Sequence, residues 1–213
     1  MTAAAPKIPI SGMGVSIILS RNTTKLTASE TAGRMAGMRI DSATAEMEGA
    51  LEAARRICIA VRTAPKGRGI DTLSSLILTG KEKERLAAEI ERQGREKGLA
   101  FFVRDADNVR QSAAIVLLGT RVQTLELPNC GFCGHGDCAG NRKAGSICAF
   151  NAGDLGIAIG SAVSVAADQR VDTRVLFTAG KAAMSLGLVG PEVRVAYGIP
   201  LSVSGKSPFF DRK

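Results

Sequence analysis

The chain has no tryptophan, one tyrosine and one histidine in 213 residues. That scarcity, with no arginine-rich helix and no interleaving of basic and aromatic residues, argues against a platform for stacking nucleic-acid bases. The formal net charge of +8 does not change this. Residues 1–40 hold Lys7, Arg21, Lys25, Arg34 and Arg39 against Glu30 alone, a net +4, so the remaining chain carries only the other +4. Such a balance suits solubility and attraction to anionic partners. No apolar run approaches the roughly 18 residues needed to cross a bilayer, and residues 15–19 fall far short, so a soluble protein is expected. The sequence shows no internal repeat and no low-complexity segment. No acid–base dyad or nucleophile triad stands out either, and no general acid, base or nucleophile is assigned.

What the chain does have is cysteine in one place. Four of its five cysteines lie in Cys130-Gly-Phe-Cys133-Gly-His-Gly-Asp-Cys138 and Cys148, a C-x2-C-x4-C-x9-C spacing. An odd, clustered set with glycines between near neighbours suits metal ligation better than a disulfide framework, and points to a reducing cytoplasm. Gly131 permits the tight turn that brings Cys130 and Cys133 to one centre, and residues 139–147 can form a short helix that returns Cys148 to it. A 4Fe-4S cluster held by four thiolates carries net negative charge, which Arg142, Lys143 and loop amides would stabilise, with Phe132 and Ile147 as shields against water. Zinc remains the alternative, although structural zinc usually takes two close ligand pairs and only one is present. His135 can replace a cysteine as ligand, but four thiolates already saturate either centre. Cys58 reads as a core thiol.

Around this segment the pattern is mixed α and β. Residues 1–40 read as a poorly ordered basic extension, with a short strand conceivable at residues 15–19. Met47, Leu51, Ala54, Ile57, Cys58 and Val61 recur at helical spacing and stop before Pro65. Residues 73–78 form a strand, Thr79-Gly-Lys-Glu82 has the form of a capping box, and a charged helix runs to Lys97. A helical stretch near residues 105–111 precedes the buried strand at 113–118. After Cys148 come a helix striped by Leu155, Ile159, Ala162, Val163 and Ala166, a helix capped by Asp172 or Thr173, and a strand at 193–197. Two Gly-containing basic loops, Ala64-Pro-Lys-Gly-Arg-Gly-Ile-Asp71 and Gly198-Ile-Pro-Leu-Ser-Val-Ser-Gly-Lys206, are candidate cofactor or substrate contacts through Pro65, Lys66, Gly67, Arg68, Ser204 and Lys206.

Residues 61–69, 130–134, 148–160 and 198–212 together resemble the bacterial and archaeal family of uncharacterised proteins described as containing a ferredoxin domain. The resemblance spans residues 45–213 and implies cluster ligation by Cys130, Cys133, Cys138 and Cys148. It implies no known substrate. A weaker resemblance, in the order of elements and in Ala-Met-Ser-Leu-Gly-Leu188 followed by a strand into Gly-Ile-Pro200, is to flavin nitroreductases. In that family the loop after the first helix lies near FMN, which implies a flavin beside Pro65, Lys66 and Gly67. The family's Arg-Ser-x-Arg start is missing here.

The expected fold is therefore α+β, a nitroreductase-like three-layer or compact α/β core over residues 41–213, interrupted by a small Cys-rich metal-binding insert at 128–150. The expected function is electron transfer, or a cluster-dependent oxidoreductase using a flavin, with a zinc-stapled binding protein as the alternative. Expected partners are a redox protein or a small-molecule substrate, with no membrane span and no nucleic acid. Small residues on the helix at 155–166 also allow a homodimer.

Overall fold

The computed structural model describes residues 39–210. The chain divides into two units, Met1–Arg39 and Ile40–Lys213, and everything below concerns the second. The expected extension, the strand at 15–19 and the end of the terminal motif lie outside the described residues.

The fold is built on strand β2 (Ala114–Arg121), of which every residue but the last is buried. A strand so apolar needs cover on both faces. It pairs antiparallel with β1 (Leu73–Leu78) on one side and β4 (Val193–Ser202) on the other, and the two-residue β3 (Asp172–Thr173) closes the order β1-β2-β4-β3. Because side chains alternate across a sheet, Ile115 and Leu117 enter one core and Val116 and Leu118 the other.

The first core is covered by α2 (Gly80–Lys97), α3 (Ala100–Gln111) and α6 (Phe177–Ser185), through Leu86, Ile90, Phe102, Val109 and Ala179. The second is covered by α1 (Ser42–Thr63) and α5 (Ala149–Asp168), through Ala54, Ile57, Leu155 and Ala162. This is the expected three-layer arrangement of helices on both faces of one sheet. A further short helix, α4 (Cys138–Ala144), lies in the connection from β2 to α5.

Several local expectations are corrected. In α1 the buried stripe is Ala50, Ala53, Ala54, Ile57 and Val61, while Met47 is 47% exposed. Thr79 occupies the N-cap of α2 but its side chain makes no capping bond, so the capping box does not form. Asp172 and Thr173 do not cap a helix; they pair with Ser202 and Leu201, and the next helix starts only at Phe177. The last strand continues through Pro200, which lacks an N–H. The amide of Gly198 points to Leu176 on the β3 side, so that of residue 200 would point the same way. There β3 has already ended and no ladder bond is lost.

Helix α5 meets the length and apolarity of a membrane span, with a mean hydropathy of 1.3, against the expectation that no such run exists. Its buried side carries Asn151 and Asp154 and packs on α1 and the sheet, while a third of its apolar stretch is buried.

Helix α6 sits unusually close to β4. A Cβ at Gly180 would lie 1.8 Å from the carbonyl oxygen of Ala196, and one at Gly198 would lie 2.6 Å from Cβ of Ala179. Backbone cannot yield as a flexible side chain does. Gly180→Ala is therefore expected to lower stability by about 3 kcal/mol or more, at the upper end of overpacking effects, as read by urea unfolding; unchanged stability would show that the helix and strand can separate freely.

Candidate functional site

The cysteine segment leaves β2 at Arg121 and returns to the core at α5. Between Cys130 and Cys133 the chain reverses, with the Gly134 amide donating to Gly131 O at 3.0 Å and Gly131 and Gly134 at positive φ of 63° and 82°. A side chain at such angles is strained, so glycine is required by the turn. Cys138 is the first residue of α4, whose N-cap Asp137 accepts from the Gly140 amide at 2.7 Å. Gly145 ends α4 in the left-handed conformation. Cys148 is then the N-cap of α5.

One polar contact ties this excursion to the domain and two brace it internally. The Gln123 amide donates to Oδ1 of buried Asn151 at 2.8 Å. Arg142 donates to the Glu126 carboxylate and, at 3.1 Å, to the Thr124 hydroxyl. Within the segment, His135 Nε2 and the Ser146 hydroxyl are hydrogen-bonded at 2.9 Å. His135 thus braces the loop before α4 against the turn after it.

The loop at 65–69 meets the same region. The Gly67 amide donates to both carboxylate oxygens of buried Asp154 at 3.1 Å, and a Cβ at Gly67 would stand 2.5 Å from Leu125 Cδ1. Lys66 turns back on the end of α1 and donates to the carbonyls of Val61, Arg62 and Ala64 at 2.8–3.2 Å. Arg68, in the left-handed region, donates to Leu125 O at 2.6 Å. Both cations of this candidate contact loop therefore serve backbone carbonyls.

An apolar cleft of about 420 Å³ opens between Pro65, Lys66 and Gly67 on one side and Phe132, Phe150 and Ile157 on the other. Phe132 stacks on Phe150 at a centroid distance of 5.9 Å. It is 76% exposed and forms a wall of the cleft, and Ile147 is also exposed. The expected charge relief by Arg142 is shared with Glu126.

Ser204 and Lys206 lie elsewhere. They line a cleft of about 470 Å³ with Glu46 and Met47 of α1, Ser112 and Ser202, and Ser204 donates to Lys206 O at 2.7 Å. Pro65 follows the last turn of α1, whereas Glu46 and Met47 belong to its first turns. At 1.5 Å per residue, the 22-residue helix places the two loops roughly 30 Å apart. Pro65, Lys66 and Gly67 thus line one cleft and Ser204 and Lys206 another, while Arg68 lines neither. A third cleft, of about 780 Å³, lies behind the cysteine segment between Gln123, Asn141, Arg142, Ser146, Glu192 and Arg194.

Cys130, Cys133, Cys138 and Cys148 are all unbridged thiols. Among the described residues, no group of three or more His, Cys, Asp or Glu side chains is arranged to hold a metal ion. The donor chemistry fits a thiolate-ligated centre: four thiols in one segment, two of them at helix starts where the backbone favours negative charge. Cys58 is half-buried against the second core, and burial pushes its thiol pKa up, as for a packing residue. Sequence reasoning missed Asn151 and Asp154. Asp154 did carry a signal, as the one acid inside the apolar stripe of α5.

Comparison with solved structures places the fold among the nitroreductases. Nitroreductase CinD from Lactococcus lactis, solved with nicotinic acid, is 15% identical with a TM-score of 0.52, covering 81% of this chain and 86% of that one. The FMN-dependent nitroreductase NfnB from Mycobacterium smegmatis, solved with NADPH, is 13% identical with a TM-score of 0.51, covering 73% and 78%. At these identities the likeness is one of fold. An uncharacterized protein from Archaeoglobus fulgidus is 42% identical over 173 residues, which are 78% of this chain and 92% of that protein. Residues 144–212 match the family described as uncharacterized protein containing a ferredoxin domain. The chain belongs to that family.

The bond from Gly67 to Asp154 fixes the relation of the 65–69 loop to the cysteine segment. Asp154→Ala is expected to cost about 1.5–3 kcal/mol, the range for a hydrogen bond to a charged group, and to speed hydrogen exchange at the Gly67 amide. Wild-type protection of that amide would show that the carboxylate does not hold the loop.

Proposed function

We propose that the protein is an iron–sulfur redox protein in which Cys130, Cys133, Cys138 and Cys148 hold a 4Fe-4S cluster, serving electron transfer or a cluster-dependent oxidoreductase reaction. The observation that carries this reading is four unbridged thiols in one short segment, whose Phe132 and Phe150 form a wall of the apolar cleft beside Pro65–Gly67. When bound, such a cluster accepts or donates one electron at a time. The chain's own contribution is to set the four thiols in one short segment turned by glycines and to present an apolar surface next to it.

Anaerobically purified protein is expected to be brown, with broad absorption near about 400 nm and about four iron and four sulfide per chain, as for a four-thiolate cubane. Replacing any one of the four cysteines by alanine is expected to abolish or strongly diminish that content while Cys58→Ala leaves it intact. Stoichiometric zinc without iron would overturn the redox reading in favour of a zinc-stabilised structural or binding protein.

A flavin in the cleft is a second reading, favoured by the cleft's apolar walls and its place beside the thiols. Those walls suit a flat ring. Lys66, the one cation among the cleft residues, is already held by carbonyls, so the cleft supplies no evident partner for a phosphate. Release of a yellow fluorophore on denaturation would support FMN, and failure to bind FMN in reconstitution would remove it. This reading places the protein in the cytoplasm, with a redox protein or a small-molecule substrate as partner. The exposed Gly153, Ile157 and Gly160 side of α5 leaves room for a second copy, which light scattering would reveal.

A further inference from the structure

Asn151 is fully buried, at 0% exposure, yet half of its amide is unused. Its Oδ1 accepts from the Gln123 amide at 2.8 Å. That bond fixes the orientation of the side chain, because the Gln123 N–H can only be met by an oxygen. The remaining Nδ2 is then a donor, and it has no acceptor. An amide donor buried without a partner gives up its hydration with nothing in exchange, so such a group calls for a reason.

Its place in the helix supplies one. Cys148 is the N-cap of α5 and Asn151 is three residues on, in the third helical position. Side chains at these two positions face each other across the first turn, the relation that a capping box exploits. Here the N-cap thiol makes no capping bond. The turn therefore gathers unsatisfied helix amides, the positive end of a 20-residue helix and an unused carboxamide donor next to one thiol. An acceptor carrying negative charge on sulfur would satisfy them.

We propose that Asn151 Nδ2 donates an N–H···S hydrogen bond to the iron–sulfur centre on its Cys148 side, and so raises the centre's reduction potential. This inference rests on the cluster reading above and adds a residue outside the ligand set. The sign follows from charge: reduction adds an electron to the centre, a donor to sulfur stabilises the more negative state more strongly, and its loss makes reduction harder. The same carboxamide anchors Gln123, so Asn151 links the start of the excursion to its return.

The test uses the full chain purified anaerobically, with iron and sulfide content, thermal midpoint and midpoint potential measured together. Asn151→Leu approximates the side-chain shape and removes the donor without adding charge. It is expected to retain four iron and to be at least tenfold harder to reduce, which is about 59 mV for one electron. A loaded Asn151→Leu protein with the wild-type potential would overturn the inference and leave the cluster reading intact. Asn151→Asp keeps the acceptor for Gln123 and is the second variant, should leucine prevent folding. It is expected to fall further in potential or to lose the cluster, and a wild-type potential would again overturn the proposal. Wild-type protein without iron would overturn the cluster reading and this inference with it.

Discussion

Strand β2 is the member on which the rest of the structure depends. Seven of its eight residues are buried, so it is stable only while helices cover both faces, and its two antiparallel neighbours leave none of its edges free. The apolar area removed from water on each side, at about 25 cal/mol per Å², is what holds α2, α3 and α6 on one face and α1 and α5 on the other. The cysteine excursion begins where β2 ends and finishes where α5 begins. It is thus anchored at both ends to elements of the packed domain, and a glycine-rich, turn-filled segment can be positioned without a core of its own.

That arrangement explains why the segment needs specific tethers. A loop of this composition buries little, with Leu125 and Cys148 as its main apolar contacts with the interior. Polar bonds must then set its orientation. Asn151 holds the Gln123 amide, Asp154 holds the Gly67 amide, and Arg68 holds the Leu125 carbonyl. Two of these three bonds start from the first turns of α5, so one helix end organises both the thiol segment and the loop at 65–69. Polar side chains buried in an otherwise apolar helix are costly unless paired, and the side-chain oxygens of Asn151 and Asp154 accept from the backbone amides of Gln123 and Gly67.

Much of the fold was legible because the signals were local. The spacing of Ala54, Ile57 and Val61, the stop before Pro65, the run at 73–78 and the apolar stretch into β2 each reflect periodicity or a breaker within a few residues. The four thiols were legible for the same reason. The failures share a different cause. Asp172 and Thr173 became β3 because Leu201 and Ser202 offered a sheet edge, and Pro200 stayed in β4 because that edge stops short of it. Neither fact is present in the local sequence. The separation of Lys66 from Ser204 required knowing that α1 stands between them, and the Gly67–Asp154 bond joins residues 87 apart.

The roles of the cations show most clearly what residue type alone leaves open. Lys66, Arg68 and Arg142 look in sequence like groups waiting for an anion. In the fold Lys66 finishes α1, Arg68 fastens a carbonyl and Arg142 pairs with Glu126. Helix ends and irregular loops leave backbone carbonyls that need donors, and the nearest long basic side chains supply them. Positive charge in this region therefore serves mainly to hold the excursion in place. Beside Lys143, a centre held by the four thiols would draw electrostatic relief from helix amides and loop N–H groups, which are fixed by the backbone and so lose little freedom on binding it. The short α4, the start of α5 and the glycine turn at 131–134 all end in such groups. Were the four thiols to hold a centre, oriented dipoles and Lys143 would stand against its negative charge, with Lys66, Arg68 and Arg142 left to shape the loops.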